Sequence, residues 1–345
     1  IEANLKDYFK AYKSFRWKSV EKEFDWHKTG KVNVVHEIND RHAEGPRKNK
    51  VALYFWDTAL GRDEKYTFLD LKKESSRFGN VFKKYGVKKG DRVAVFLPRT
   101  PELYISILGI HRVGAIPVPL FEAFMETAVL DRLSDSGASL VVTNAALKTR
   151  VPFEKLNDLK AAILVDLNGE GGCDVDSIPN GEIYNYFEEM KQASDVLQPV
   201  WLTKKDGLVI HYTSGSTGKS KGVLHHQYAM VGHLQTSKWS LDLREDDIYW
   251  CTADPGWVTG TSYGIYGPWS LGTSSVVLGG RFSAERWYET IQKYSVSVWY
   301  SAPTAFRMLM AQGKALPKKF NLKSIRHICS VGEPLNPEAL RWIRS

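Results

Sequence analysis

The sequence predicts an α/β protein built on a largely parallel β-sheet that helices cover. Apolar strand-like runs alternate with amphipathic helical segments through most of the chain, which is the rhythm of βαβ units. Several helical segments carry start and stop signals at their ends. With 345 residues, of which 43% are hydrophobic and 25% charged, the chain can bury one large core or two smaller ones.

The elements follow in order, beginning with an extension at residues 1–48. This segment is rich in Trp, Phe and Lys, and we expect a helical extension that packs on the rest. Residues 49–200 are predicted to form a first α/β subdomain. Its elements are a strand from Val51, a helix from cap Thr67 to stop Gly86, a strand at 91–97, a helix from cap Thr100 to stop Gly114, and strands at 115–118, 139–143 and 162–165.

The glycines and acids of residues 166–200 predict a surface excursion before a second subdomain at 201–345. Its predicted elements are helices at 227–240 and 283–294 and strands at 248–251, 274–278, 296–300 and 325–329. Residues 335–345 begin another helix with an Asn cap and an early proline, and the sequence stops after two turns of it. Because a protein rarely ends two turns into a helix, we expect the chain to be the front part of a longer polypeptide.

Composition excludes several classes of protein. No apolar run reaches the roughly 18 residues that a membrane span needs, and the N-terminus lacks a secretory layout, so a cytoplasmic enzyme without a membrane partner is expected. The net charge is +8, but the basic residues are spread along the chain and mixed with acidic ones. This pattern disfavours a nucleic-acid partner and suits small polyanionic substrates. The three cysteines and nine histidines show no disulfide framework and no metal-ligand spacing. Oligomeric state is not predicted.

The most informative segment is residues 208–223, where an apolar strand leads into a loop of small hydroxyls, glycines and two lysines. Glycines let backbone N–H groups approach an anion, hydroxyls add donors, and lysines neutralise phosphate charge. The loop therefore predicts a polyphosphate site.

Two alternatives to this prediction remain open. A Walker-type kinase would use Lys219 and Ser220 on phosphate and Mg²⁺, with 163–166 as its second motif, but Thr213 stands where that motif needs glycine. A flexible Ser/Gly-rich connector would not require the apolar strand or two lysines at fixed offsets.

Two further loops follow predicted strands, at 253–263 and 330–334. Ligands bind at strand ends in open α/β sheets, and a bulky Trp257 beside small residues suits a compact apolar pocket with a hydroxyl inside. The alternative is a buried aromatic turn without a ligand.

Together, the motifs resemble those of the adenylate-forming family of acyl-CoA synthetases, luciferases and peptide-synthetase adenylation domains. Residues 213–222 match the family loop T-S-G-S-T-G-x-P-K-G, except that Ser220 replaces proline. Segments 253–263 and 332–334 are similar to those of the acetate–CoA ligases within this family, and the likeness extends from about residue 20 to the end. The resemblance implies the N-terminal domain of the adenylate-forming fold, incomplete at its C-terminal side.

The resemblance also implies roles for individual residues. Thr217 and Lys221 would be catalytic. The ATP phosphates would be bound by Thr213, Ser214, Gly215, Ser216, Thr217, Gly218, Lys219 and Lys221. The adenine would be bound by Gly332, Glu333 and Pro334, and the acyl pocket would be lined by Trp257, Val258, Thr259 and Val331. Arg150 or Lys148 would reach coenzyme A phosphates, with a solvated surface as the alternative for both.

The implied function is ATP-dependent activation of a small carboxylate, acetate or alternatively propionate, to an acyl-adenylate, followed by transfer to coenzyme A. Mg²⁺ would accompany ATP. The family's acidic motif, ribose-binding aspartate and small C-terminal domain with its lysine would lie beyond Ser345. A non-catalytic nucleotide-binding module is the other alternative.

Overall fold

Parallel β-sheets form the framework of the chain. The computed structural model describes residues 2–166, 181–214 and 219–344, and in these ranges the strands form a five-stranded sheet, a six-stranded sheet and a two-stranded hairpin. Helices pack on both sheets, which confirms the predicted α/β class with layered parallel sheets.

All strand pairs of the five-stranded sheet are parallel, in the order β4-β3-β5-β6-β7. Its strands are β3 (Arg92–Phe96), β4 (Ile116–Pro119), β5 (Leu140–Asn144), β6 (Ala161–Val165) and β7 (Glu182–Asn185). Strands β4 and β6 are buried at every position, as expected where helices cover both faces of a parallel sheet.

The six-stranded sheet has the order β13-β12-β10-β11-β1-β2. Its strands are β1 (Val51–Asp57), β2 (Arg62–Thr67), β10 (Ile248–Cys251), β11 (Ser274–Leu278), β12 (Val298–Ser301) and β13 (His327–Ser330). Strand β2 is antiparallel to β1, and the other pairs are parallel. Because β1 pairs with β11, this sheet combines the two segments that the sequence analysis separates at residue 200.

The hairpin consists of β8 (Gly207–Ser214) and β9 (Ser220–His226), which pair in antiparallel register. Gly207 of β8 approaches β4 so closely that a Cβ there would meet the Ile116 side chain at 2.5 Å. The hairpin thereby lies against the edge of the five-stranded sheet.

The helices cover the sheets and form the N-terminal extension. They are α1 (Tyr8–Ser14), α2 (Trp17–Glu21), α3 (Trp26–Thr29), α4 (Arg41–Ala43), α5 (Phe68–Lys84), α6 (Pro101–Arg112), α7 (Glu126–Ser136), α8 (Ala145–Lys148), α9 (Tyr186–Gln192), α10 (Met230–Trp239), α11 (Val258–Thr261), α12 (Gly267–Ser270), α13 (Ala284–Tyr294), α14 (Pro303–Met310) and α15 (Pro337–Arg344). Within the described ranges, no helix is long and apolar enough to cross a membrane.

The two predicted N-caps differ, because Thr67 caps α5 through its side chain whereas Thr100 precedes α6 without a side-chain cap hydrogen bond. Thr67 and Asp70 form a reciprocal capping box at the start of α5, and Pro101 occupies the first turn of α6. The helix predicted at 227–240 differs slightly, because residues Gln227–Ala229 form a 3-10 turn before α10 begins. Strands β2, β7 and β9 and helices α7 and α14 are additional elements that the sequence analysis did not predict.

Candidate active site

The two predicted strand-end loops at 253–263 and 330–334 lie side by side. Strands β10, β12 and β13 are parallel neighbours, so the segments that follow them leave from one edge of the sheet. Thr252 Oγ1 lies 2.6 Å from Ser301 Oγ, and the N–H of Val331 donates to the Ser301 carbonyl at 3.2 Å. This edge therefore gathers the ends of three strands that are far apart in sequence.

The predicted phosphate loop lies at the tip of the β8–β9 hairpin. Thr213 pairs with Lys221 and Ser214 with Ser220 in the hairpin register. Thr213, Lys219 and Lys221 are exposed. The predicted phosphate contacts at 215–218, which include the predicted catalytic Thr217, lie outside the described residues.

This arrangement contradicts the Walker-type alternative. A Walker A loop runs from a strand into a helix, whose N-terminus holds the phosphates. Here the chain after the loop forms strand β9, beginning at Ser220, and pairs back onto β8. Lys219 and Ser220 therefore do not open a helix as the corresponding residues of a Walker motif do.

A buried histidine joins the hairpin to the loop at 253–263. His211 of β8 is 3% exposed, and its Nε2 is hydrogen-bonded to Thr261 Oγ1 at 2.7 Å. Burial, with nearby His225 and His233, lowers the pKa of His211 to about 3. His211 is therefore neutral near pH 7, and it connects the strand before the phosphate loop to α11 without adding charge.

The turn before α11 is held by Asp254. Its Oδ1 accepts from the N–H of Gly256 at 2.7 Å, and its carbonyl accepts from the N–H of Trp257 at 2.9 Å. A Cβ at Gly256 would lie 2.3 Å from the backbone nitrogen of Phe121, and one at Gly260 would lie 2.0 Å from the Asp254 carbonyl oxygen. Glycine is required at both positions because backbone fills the space.

Asp254 is a site residue that the sequence analysis missed. Its side chain is buried, and its Oδ2 has no hydrogen-bond partner among the described residues. Burial raises its pKa to about 7 and Glu122 adds to the rise, whereas Arg99 and the Gly256 N–H oppose it. The only signal in the sequence is an acid placed between an apolar strand and a Pro-Gly turn.

Trp257 projects from this turn against two phenylalanines of the segment after β4. The ring centroids of Phe121 and Phe124 lie 5.6 and 6.1 Å from that of Trp257. Trp257 remains 44% exposed and Val258 41% exposed, so both present apolar surface at the site. Thr259 is half-buried in the same helix.

Val331 belongs to a small apolar cluster behind this loop. The cluster includes Tyr300, and Tyr263 and Val331 pack against it. The rings of Tyr263 and Tyr300 are 5.8 Å apart, and the Tyr263 hydroxyl donates to Thr236 Oγ1 at 3.0 Å. The structure thus places Val331 and the segment that begins at Trp257 around the same strand end.

The predicted adenine contacts form an exposed turn after β13. Gly332 has φ +92°, a conformation that favours glycine. Glu333 pairs with Arg307 at 2.5 Å and accepts from the Thr304 N–H at 3.1 Å. Hydrogen bonds from Thr304 and then Arg307 lower the pKa of Glu333. The turn, including the exposed Pro334, is thereby fixed to the start of α14.

Arg150 is half-buried rather than fully solvated. Its guanidinium donates to the carbonyls of Glu122 at 3.0 Å and Phe124 at 3.3 Å. Arg150 also lines a cavity of about 600 Å³ at the carboxyl edges of both sheets, together with Arg99 and Arg281. Lys148 lies in the last turn of α8 and is not among the lining residues.

The described part of the chain contains neither a cluster of metal-ligating side chains nor a reactive thiol. No group of three His, Cys, Asp or Glu side chains there could hold an ion. Cys251 and Cys329 are free, and burial raises the pKa of each thiol to about 12. Both thiols are therefore protonated near pH 7.

Comparison with known proteins gives a consistent result. A family model described as AMP-binding enzyme matches residues 39–345. The chain is 56% identical over 340 residues to an acetyl-coenzyme A synthetase of Bacillus subtilis, covering 98% of this chain and 58% of that protein. It is 41% identical to an acetyl-coenzyme A synthetase of Methanothrix thermoacetophila, covering 93% of this chain and 50% of that protein.

A solved structure of a Brucella canis acyl-CoA synthetase superposes with a TM-score of 0.85 at 34% identity. The match covers 97% of this chain and 59% of that one. The chain thus spans between half and three-fifths of the length of these relatives. Since the family model covers most of the chain, the chain belongs to the AMP-binding enzyme family.

Proposed function

We propose that the protein containing this chain is an AMP-forming ligase that joins a small carboxylate, acetate in the first instance, to coenzyme A. One observation carries the proposal. The strand that leads into the phosphate loop is hydrogen-bonded through His211 to Thr261, three residues beyond the start of the helix that follows Trp257. A polyphosphate and a small acid could therefore bind next to each other.

In the first step an oxygen of the carboxylate attacks the α-phosphorus of ATP. The bond from that phosphorus to the β-phosphate bridging oxygen breaks, and pyrophosphate leaves with the electron pair. The protein's main task is to position the reactants and to neutralise charge. Lys221 and Lys219, both exposed beside the loop, are suited to bind the departing phosphates, with Thr217 as a predicted further donor.

In the second step the coenzyme A thiolate attacks the carbonyl carbon of the acyl-adenylate. The carbon–oxygen bond breaks, and AMP leaves with both electrons. The cavity of about 600 Å³ beside Arg150, Arg99 and Arg281 offers guanidinium groups for the phosphates of such a substrate, although Asp57, Glu122 and Asp166 line the same space. The relatives' names, acetyl-coenzyme A synthetase and acyl-CoA synthetase, support this thiol as acceptor.

The remaining assignments follow the resemblance. Trp257, Val258, Thr259 and Val331 would surround the acyl group, and the turn at 332–334 would contact the adenine. Mg²⁺ would arrive with ATP, bound to its phosphates, and would supply charge neutralisation there. A cytoplasmic location, small-molecule substrates as the partners, and the subdomain division remain predictions.

Phosphorus NMR of the full-length protein with ATP, Mg²⁺, acetate and coenzyme A tests the proposal. We expect AMP and pyrophosphate in equal amounts, formed only when acetate is present. Formation of ADP would instead indicate a kinase. ATP binding without turnover, for acetate and for propionate, would indicate a non-catalytic nucleotide-binding module.

A further inference from the structure

The guanidinium of Arg132, in helix α7, lies between two aromatic rings from different parts of the site. It lies 4.1 Å from the Phe124 ring centroid and 5.6 Å from the Tyr212 ring centroid. Arg132 is only 8% exposed, and its Nε has no hydrogen-bond partner in the described ranges. Its Nη1 donates to the Ala128 carbonyl at 2.8 Å, within the same helix. The contacts with the rings thus account for its placement.

The two rings belong to different parts of the predicted site, one beside the acyl pocket and one beside the phosphate loop. Phe124 packs on Trp257, the predicted wall of the acyl pocket. Tyr212 precedes Thr213, the first residue of the predicted phosphate loop, and its hydroxyl donates to Asp135 Oδ2 at 2.8 Å. Helix α7 therefore contacts the hairpin through both Arg132 and Asp135.

We propose that Arg132 is a positioning residue that fixes the acyl-pocket wall and the phosphate-loop hairpin relative to each other. This proposal rests on the proposed function. A planar guanidinium can stack on both rings at once, whereas an ammonium group cannot do so equally well. Removing the guanidinium would leave Phe124 and Trp257 free to shift away from the acyl group, and Tyr212 free to shift the start of the phosphate loop.

The test measures two quantities in the full-length enzyme: the ratio of kcat/KM for propionate to that for acetate, and the KM for ATP. In Arg132→Met we expect the ratio to rise about fivefold or more, because a looser wall admits another methylene. We also expect the KM for ATP to rise about threefold or more, because the hairpin is less well placed. Arg132→Lys should change both quantities in the same direction by less.

Arg92→Met is the matched control. Arg92 is half-buried and also holds α7, donating to the carbonyls of Ser136 at 2.7 Å and Gly137 at 2.9 Å. Unlike Arg132, it does not lie over the Phe124 or Tyr212 ring. We expect it to lower the unfolding midpoint while leaving both kinetic quantities at their wild-type values. If Arg132→Met does not fold, Arg132→Lys is compared with Arg92→Met by the same criterion.

The inference is overturned if the Arg132 variants match Arg92→Met, or if only one of the two quantities changes. A wild-type enzyme that forms no AMP would overturn the proposed function and this inference together. An active wild-type enzyme with unresponsive Arg132 variants would overturn only this inference.

Discussion

At the scale of single residues, Asp254 has the most unusual environment in the site. Its carboxyl is buried under the turn that carries Trp257, with one oxygen bonded to Gly256 and the other unpartnered in the described structure. Burial therefore raises its pKa to about 7 against an ordinary value of 3.8. A carboxyl in this state is partly protonated under physiological conditions.

The first prediction concerns the pH dependence of stability. Folded Asp254 keeps its proton between about pH 4 and pH 7 whereas the unfolded chain loses it, so stability falls as pH rises through this window and levels above it. Asp254→Asn should remove this fall. From pH 5 to pH 8 the free energy of unfolding of the variant should gain at least about 1 kcal/mol relative to wild type.

Urea unfolding of both proteins at pH 5 and pH 8 measures this difference. Any cost of packing the amide that does not depend on pH is the same at both pH values and cancels from the comparison. The exposed Asp246→Asn is the control and should follow the wild type. Parallel behaviour of Asp254→Asn and wild type would show that Asp254 is ionised in the folded state throughout.

The second prediction concerns Lys221, which is exposed beside the predicted phosphate loop. Its charge should matter most when pyrophosphate departs, so Lys221→Ala should slow acetate-dependent exchange of pyrophosphate into ATP about 100-fold or more while weakening ATP binding much less. Lys160→Ala is the control, because Lys160 is exposed before β6, at the opposite edge of its sheet. An unchanged exchange rate in Lys221→Ala would remove the loop from the mechanism.

At the scale of elements, the strand-end loops fit together through close backbone contacts. The turn at Gly256 touches the backbone at Leu120 and Phe121, where strand β4 has just ended. This contact brings a loop of the six-stranded sheet against one of the five-stranded sheet. The two sheets can approach each other this closely at the site because Gly256 has no side chain.

The third prediction follows from this contact. Gly256→Ala should destabilise the fold by about 2 kcal/mol, because the new methyl group meets backbone atoms that cannot rotate away. Gly232→Ala in helix α10 has open space around its Cβ and should instead stabilise by about 0.5 kcal/mol through helix propensity. Chemical denaturation compares the two, and equal effects would mean that the 254–257 turn adjusts freely.

Elements that carry a strong local signal were predictable, and others were not. Helix α5 has a capping box and an apolar face, α6 begins with a proline, and the buried strands β5 and β6 contain apolar runs. Strand β9 has no such signal, since all its side chains are exposed or half-exposed and its conformation depends on its pairing with β8. The position of Asp254 depends likewise on contacts between distant segments.

At the scale of the whole molecule, the N-terminal segment is tied to the sheet helices by a buried ion pair. Arg112 of α6 makes two bonds to Asp40, of 2.6 and 2.9 Å, and its Nε donates to Ser75 of α5 at 2.8 Å. Both charged partners are almost fully buried. The composition of residues 1–48 predicted packing, but it could not predict this partner, which lies 72 residues away in the chain.

The fourth prediction tests this connection. Arg112→Met leaves the Asp40 carboxylate buried without its partner and should cost about 3 to 5 kcal/mol of stability. Lys155→Met, which removes an exposed ion pair with Glu126, should cost far less stability because solvent screens that pair. Similar losses in equilibrium unfolding would mean that the N-terminal segment contributes little to the cooperative fold.

The central claim is that a carboxylate oxygen becomes bonded to the α-phosphorus of ATP. Acetate labelled with ¹⁸O in both oxygens tests this most directly, with the full-length protein, ATP, Mg²⁺ and coenzyme A. The thiolate breaks the carbon–oxygen bond, so the account predicts that each AMP carries one ¹⁸O on its phosphate, seen by mass spectrometry. AMP without the label, or labelled phosphate released with ADP, would contradict the account.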